Sequence, residues 1–337
     1  MSELSAVQGP RRPKWTLGLA VLLAIVSVVI LVLMFLWSRE PAQFSPLERT
    51  RTALGKQEPV PGTTTTQTMI ELIDVLLEKR GGYLSNDLLP PGAFLDNMPN
   101  FEFGVVSQLR DLAIVLRNDF SRSQTQSIED VDLAEAQPLL ASPNDRWLLP
   151  STEGQYGKAR AHLISFRDRL ADTGEPDAQF FARADNLALW LSVVEKKLGS
   201  LSQRLGNAVG HHRLRTELAG DPAAQQSTAT QPLAFVRTPW SKIDDNFYEA
   251  RGQCYALIHL LNAIRVDFHD VLERKNALVS LDQIIRELEA TQDAVWSPVI
   301  LNGSGYGFFA NHSLVIANYV SRATRAIGDL RILLIQG

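Results

Sequence analysis

Leu187-Ala-Leu-Trp-Leu-Ser-Val-Val-Glu-Lys-Lys-Leu-Gly-Ser-Leu-Ser-Gln-Arg-Leu205 places Leu187, Leu191, Val194, Leu198, Leu201 and Leu205 at steps of four, three, four, three and four. This is a heptad seam held for more than two heptads, the pattern of a helix packed lengthwise on other helices. It decides the fold class, because the same period returns on both sides of it.

Upstream, Tyr156, Ala159, Leu163, Phe166 and Leu170 share one helical face, with Thr152 and Gln155 at capping-box spacing. Before them come Val105, Leu109, Leu112, Leu116 and Phe120, and earlier still Met69, Ile70, Ile73, Leu76 and Leu77 behind a Thr68/Glu71 capping box. Downstream, Cys254, Leu257, Leu261, Ile264, Phe268 and Val271 resume the seam, and Leu278, Leu281, Ile285 and Leu288 continue it. A last stripe runs through Phe309, His312, Ile316, Tyr319, Ala323, Ala326, Leu330 and Leu333. Only Val299-Ile-Leu301 looks strand-like, and three residues cannot build a sheet. The expectation is all-α: one N-terminal transmembrane helix, then an elongated antiparallel bundle of six to eight helices.

The transmembrane segment is Trp15–Trp37, 23 residues without a charge and with a tryptophan at each end. It is long enough for a hydrocarbon core of roughly 30 Å, and the tryptophans suit its two interfaces. A signal peptide has a shorter apolar region and a small-residue cleavage site, which this stretch lacks, so an uncleaved anchor is expected. Arg11, Arg12 and Lys14 precede it, whereas Arg39 stands alone just after it. The positive side should be cytoplasmic. The chain then divides into a cytoplasmic tail (1–14), the anchor (15–37), a proline-rich juxtamembrane linker (38–62) and a periplasmic helical domain (63–337). The polar stretch 220–240 is a candidate hinge within that domain.

The net charge is -4, and no dense basic run follows the anchor, so nucleic acid is a poor partner. The lone Cys254 excludes an internal disulfide, and its place on an apolar stripe makes it a buried small hydrophobe. Few residues point to catalysis. Gly303, Gly305 and Gly307 have neither the spacing nor the βαβ context of a dinucleotide loop. His269 and Glu273, four apart beside Asp267 and Asp270, are the weak metal candidates. His211-His212 reads as an exposed helix terminus. His312 and Ser313 are adjacent, hence about 100° apart on a helix, and His312 reads as a core histidine. No Gly-x-Ser-x-Gly elbow occurs. No cofactor is expected. Arg117, Asn118, Asp119, Ser121, Arg122 and Ser123 form a polar cluster at a helix end, read either as capping with a solvated loop or as a recognition patch suited to carboxylates.

Three stretches are distinctive in wording: Asn97-Met-Pro-Asn-Phe-Glu-Phe-Gly104 running on to Leu116-Arg-Asn-Asp-Phe-Ser-Arg-Ser123, then Trp147-Leu-Leu-Pro-Ser-Thr-Glu153, and Arg183-Ala-Asp-Asn186 leading to Leu198–Leu205. Together they resemble the DUF2333 family of single-pass inner-membrane proteins of Gram-negative bacteria. The resemblance implies that compartment and carries over no catalytic residue.

The functional expectation is a non-enzymatic inner-membrane-anchored scaffold or interaction protein of the envelope, attached to the bilayer through one helix and docking envelope proteins on a helix face. A homo-oligomer is left open. The alternative is an envelope hydrolase or metal-dependent enzyme whose site is assembled from distant residues.

Overall fold

The computed structural model describes residues 14–55, 57–124, 127–172, 174, 177–214, 233–297, 299–304 and 306–336. The apolar helix α1 (Lys14–Trp37) is followed by α2 (Pro46–Leu54), α3 (Thr63–Glu78), α4 (Asn97–Val115), α5 (Val131–Leu140), α6 (Thr152–Ala171) and α7 (Ala184–Gly206). A hairpin of β1 (His211–Leu214) and β2 (Leu233–Val236) comes next, then α8 (Ile243–Asp267), α9 (His269–Arg274), α10 (Leu278–Glu289) and α11 (His312–Gln336). Ten described helices thus follow α1, more than the periodicity shows, because α2 and α9 are too short to display a period. The hairpin corrects the reading of His211-His212 as a helix terminus: both lie on β1, paired antiparallel with Val236 and Phe235. Most of the expected hinge, residues 220–232, lies outside the described residues. Val299-Ile-Leu301 forms no strand; next to it a single bridge joins Asn302 and Asn311.

The centre of the bundle is the pair α4 and α8, which run parallel. Asn100 donates to Asp245 (3.1 Å) and Gln108 to Gln253 (3.1 Å), both at the same sequence offset of 145. Their backbones touch. A Cβ placed on Gly104 would lie 2.2 Å from the Glu249 carbonyl oxygen, and one on Gly252 would lie 2.0 Å from the Phe101 carbonyl oxygen. Two facing glycines therefore let a helix core form with no side chain between the axes. Around this pair α3 lies antiparallel to α6, with Asp74 on Arg160 and Gln67 on Arg167, and α7 lies antiparallel to α11, with Glu195 on Arg331 and Ser202 on the Ala317 carbonyl.

The heptad seam of α7 is buried along its whole length. On α11 the buried stripe is Ile316, Val320, Ala323, Ile327, Leu330 and Leu334, one residue out of phase with the reading through Tyr319, Ala326 and Leu333. Apolar residues occupy both phases, so the α7 surface makes the choice. Phe309 lies outside the helix and is exposed. The caps also shift. Ser151 rather than Thr152 caps α6, accepting from the Gly154 N–H at 3.2 Å. Helix α3 starts at Thr63, so Thr68 is interior and returns its hydroxyl to the Thr64 carbonyl (2.7 Å). The carboxylate of buried Asp267, at the end of α8, instead accepts from the Thr65 N–H (2.7 Å) in the first turn of α3.

The segment read as a linker is held on the bundle. Residues 40–44 run extended along α8 in three rungs. Arg251 grips Glu40 through two of its guanidinium nitrogens, Nε and Nη2 (2.6 and 2.5 Å), the Tyr255 hydroxyl donates to the Ala42 carbonyl (2.8 Å), and the Phe44 N–H donates to His259 Nε2 (3.0 Å). Phe44 also stacks on the His259 ring at 4.0 Å, while His259 Nδ1 donates to the Tyr255 carbonyl (2.7 Å). The periods match: four helical residues rise about 6 Å and two extended residues about 6.6 Å.

Two outcomes are expected. In thermal unfolding of the full chain in detergent, Gly252→Ala should cost roughly 1–3 kcal/mol by forcing α4 and α8 apart. Gly157→Ala on α6, where an added Cβ meets nothing within 4 Å, should gain about 0.5–1 kcal/mol. The second outcome concerns pH. Burial holds His259 down to about 4, so its contribution is full above pH 6.5 and is lost as pH falls from there towards 4, by roughly 3 kcal/mol in all. Burial pushes Asp267 up to about 6, against its Thr65 and Thr64 bonds, so stability from that group rises as pH falls from 6 towards 3.8. Because the two oppose, the His259 share is read as the difference between wild type and His259→Gln, measured by denaturant unfolding at pH 7 and pH 4.

Candidate functional site

Helix α4 ends by widening. Leu116–Phe120 forms a π-turn, closed by the Ser121 N–H donating to the Leu116 carbonyl at 3.0 Å. Such turns insert one residue into the helical ladder and re-aim the side chains that follow. The re-aimed residues are Asn118, Asp119, Arg122 and Ser123. With Gln124, Arg183 and Asn186 they line an open recess of 460 Å³ at the end of the bundle where α4 and α8 finish.

Two elements far apart in sequence build this recess. Arg183 and Asn186 stand at the start of α7. The Asn186 amide donates to the Asp119 and Phe181 carbonyls (both 3.0 Å), and the Phe181 N–H donates to the Phe120 carbonyl (2.6 Å). Arg183 donates to the Ser123 carbonyl (3.3 Å) and to Asn186 Oδ1 (3.2 Å). Beneath, Phe120, Phe180 and Phe268 pack ring against ring at 5.2 to 5.6 Å, which ties the recess to the end of α8.

The sequence-predicted patch is brought together only in part. Asn118 and Ser123 are exposed on the recess, and Asp119 and Arg122 form its charged wall. Burial pushes the Asp119 carboxyl above its ordinary range, against the opposing pull of Arg122. Arg117 is turned away: its guanidinium donates to Glu129 (3.0 and 2.6 Å) and Gln137 (2.9 Å), bracing the turn against α5. Ser121 is buried and returns its hydroxyl to the Arg117 carbonyl (3.0 Å). Arg183, Asn186 and Gln124 were not foreseen as partners of this patch. The signal for the first two was the polar Arg183-Ala-Asp-Asn186 opening a helix without an ordinary cap. The recess is lined by two guanidinium groups, amides and a hydroxyl beside the Asp119 carboxylate. Both guanidiniums already carry an ion pair, Arg122 with Glu129 (3.6 Å) and Arg183 with Asp185 (3.3 Å), so an anionic group docking there would share them with those carboxylates.

The other candidates lie elsewhere. His269 is half exposed at the start of α9, 3.8 Å from the exposed Asp270, and Glu273 is exposed. Among the described residues no three His, Cys, Asp or Glu side chains gather as metal ligands. His312 is half-buried rather than in the core, accepting from the Leu301 N–H at 3.1 Å, and burial holds its pKa down. Cys254 is buried, and burial pushes its thiol up to about 11. Trp15 and Trp37 bound the one described helix long and apolar enough to cross a membrane, and Trp37 packs over Gly81.

Removing the Asn186 amide strands the Asp119 carbonyl, at about 1–3 kcal/mol, while the Phe181 carbonyl keeps the Arg183 N–H (2.9 Å). Asn186→Ala should therefore speed amide hydrogen exchange across residues 116–124 at least tenfold, with exchange in α8 unchanged, as read by mass spectrometry of the full chain.

The chain belongs to the bacterial family described as uncharacterized protein conserved in bacteria (DUF2333), whose family model matches residues 10–337. No curated protein and no solved structure matches it.

Proposed function

We propose that this DUF2333 member is a non-enzymatic, membrane-anchored helical scaffold that holds the donor-rich recess at a fixed distance from the bilayer for an envelope protein to dock. The observation that carries the reading is the three-rung clamp of Glu40, Ala42 and Phe44 on Arg251, Tyr255 and His259. A clamped stalk fixes the distance between a membrane and whatever docks at the far end, which is what a spacer requires. From Arg251 to the end of α8 at Asp267 the helix rises roughly 24 Å, and the recess lies beyond that end.

On this reading Trp15–Trp37 is an uncleaved anchor in the bacterial inner membrane, its basic flank is cytoplasmic and the bundle is periplasmic. The partner presents carboxylates, which join Glu129 and Asp185 on the guanidiniums of Arg122 and Arg183.

The test places a photo-crosslinking amino acid at Asn118 or Ser123 of the full-length protein in cells, with Val279, exposed on α10, as the control. The expected result is an adduct to one defined envelope protein from the two recess positions and none from the control. Reversing both arginines (Arg122→Glu with Arg183→Glu) should lower the yield about tenfold, the equivalent of about 1.4 kcal/mol. Absence of an adduct, or the same adducts from Val279, overturns the proposal.

A further inference from the structure

The end of the bundle opposite the recess is where α1 departs. Its last two turns are not free: residues 30, 33, 34, 36 and 37 are half-buried while most of the helix is exposed. There α1 meets the short 3-10 turn Gly92–Phe94. That turn belongs to a loop which leaves Leu88, Leu89 and Phe94 bare, with Leu89 at 77 % exposure.

A second loop lies against the first. The Tyr83 hydroxyl donates to the Asn144 carbonyl (2.9 Å), and the Asn86 amide donates to the Arg146 carbonyl (3.0 Å) and to Glu153 (2.8 Å). Its tip is Trp147-Leu-Leu149, also bare, with Leu149 at 95 % exposure. Both loops are held firmly. Glu102, fully buried and paired with Lys79, accepts from the Leu84 N–H (2.9 Å) and the Ser85 N–H (2.8 Å). The tips carry almost no charge. Asp87 is the only charged residue from Asn86 to Leu95, and its carboxylate folds back onto Gly92, where an added Cβ would lie 1.8 Å away. No charge occurs from Trp147 to Thr152.

Six large apolar side chains on two braced loops, set beside a helix of bilayer length, match what an interfacial anchor requires. Tryptophan and leucine partition into the headgroup boundary, and the uncharged tips remove the main cost of entering it. We infer that the loops bearing Leu88, Leu89 and Phe94 and Trp147, Leu148 and Leu149 insert into the bilayer interface beside α1 as a second membrane contact. The occupant of this apolar surface is lipid because the surface is continuous with the membrane-spanning helix it touches. With one contact α1 and the bundle could tilt together in the bilayer; with two, that tilt is set.

The inference shares with the proposed function only the reading of α1 as an anchor, and the test separates them. The full chain is reconstituted into vesicles of phosphatidylethanolamine and phosphatidylglycerol at three to one. Single cysteines at Leu89→Cys, Leu149→Cys, Val26→Cys and Asn118→Cys carry an environment-sensitive fluorophore, and the wild-type chain, whose only cysteine is the buried Cys254, is the labelling blank. Labels at 89 and 149 should be quenched by lipids with a nitroxide near the headgroup, and their quenching by aqueous iodide should be at least fivefold weaker than at 118. Strong iodide quenching at 89 and 149 overturns the inference. So does shielding from both quenchers, which means that a second copy or another part of the chain covers the loops. A label at Val26 that no lipid nitroxide reaches overturns the anchor itself, whatever the loops do.

Discussion

The contact on which the bundle depends is backbone on backbone. Where α4 crosses α8, Gly104 faces the Glu249 carbonyl and Gly252 faces the Phe101 carbonyl with no room for a side chain. Close approach brings the polar flanks of the two helices together as well. Arg204 of α7 forks onto Glu249 (2.7 and 2.6 Å), Gln253 donates to Glu249 (2.9 Å) and Gln108 to Gln253 (3.1 Å). One chain of hydrogen bonds thus spans three helices through the core. Such a network specifies register, because each member has a partner only in that arrangement. Both α3 and α7 are placed by this pair, one through Asp267 and the other through Glu249.

Much of this was legible in the sequence, and the reason is periodicity. The stripes of α4, α6, α7 and α8 are buried as their spacing indicated; on α6 and α7 one apolar face leaves one choice, whereas residues 250–261 of α8 are buried on every side. On α11 Ile316, Ala323 and Leu330 are buried as read, while the positions between them slip by one residue because Tyr319/Val320, Ala326/Ile327 and Leu333/Leu334 offer two apolar faces, and only the partner decides between them. The clamp of residues 40–44 had no local signal. Its bonds join residues 211 to 215 positions apart, and a proline-bearing stretch without period looks like a spacer.

The recess was half legible for a related reason. A run of charged and hydroxyl residues closing an apolar helix marks an end, and Asn118, Asp119, Arg122 and Ser123 do lie together there. Composition does not tell which of several arginines faces the recess. Arg117 is drawn off by Glu129 and Gln137, while Arg183, from the far-off start of α7, supplies the other guanidinium. Which side of a helix end a residue takes depends on the π-turn, a backbone event with no reliable residue signature.

The clamp along α8 also determines how the protein would bear a load. Residues 40–44 follow α8 in the same direction, and α1 leaves from the first rung, so a pull along this segment strains the Glu40, Ala42 and Phe44 contacts together, in shear. A peeling geometry would break them one after another. Pro41, between the first two rungs, and Pro46, just after the last, limit how far the backbone there can turn. Tension applied at the far recess would therefore reach α1 as a displacement of the whole bundle, with little of it absorbed in the joint.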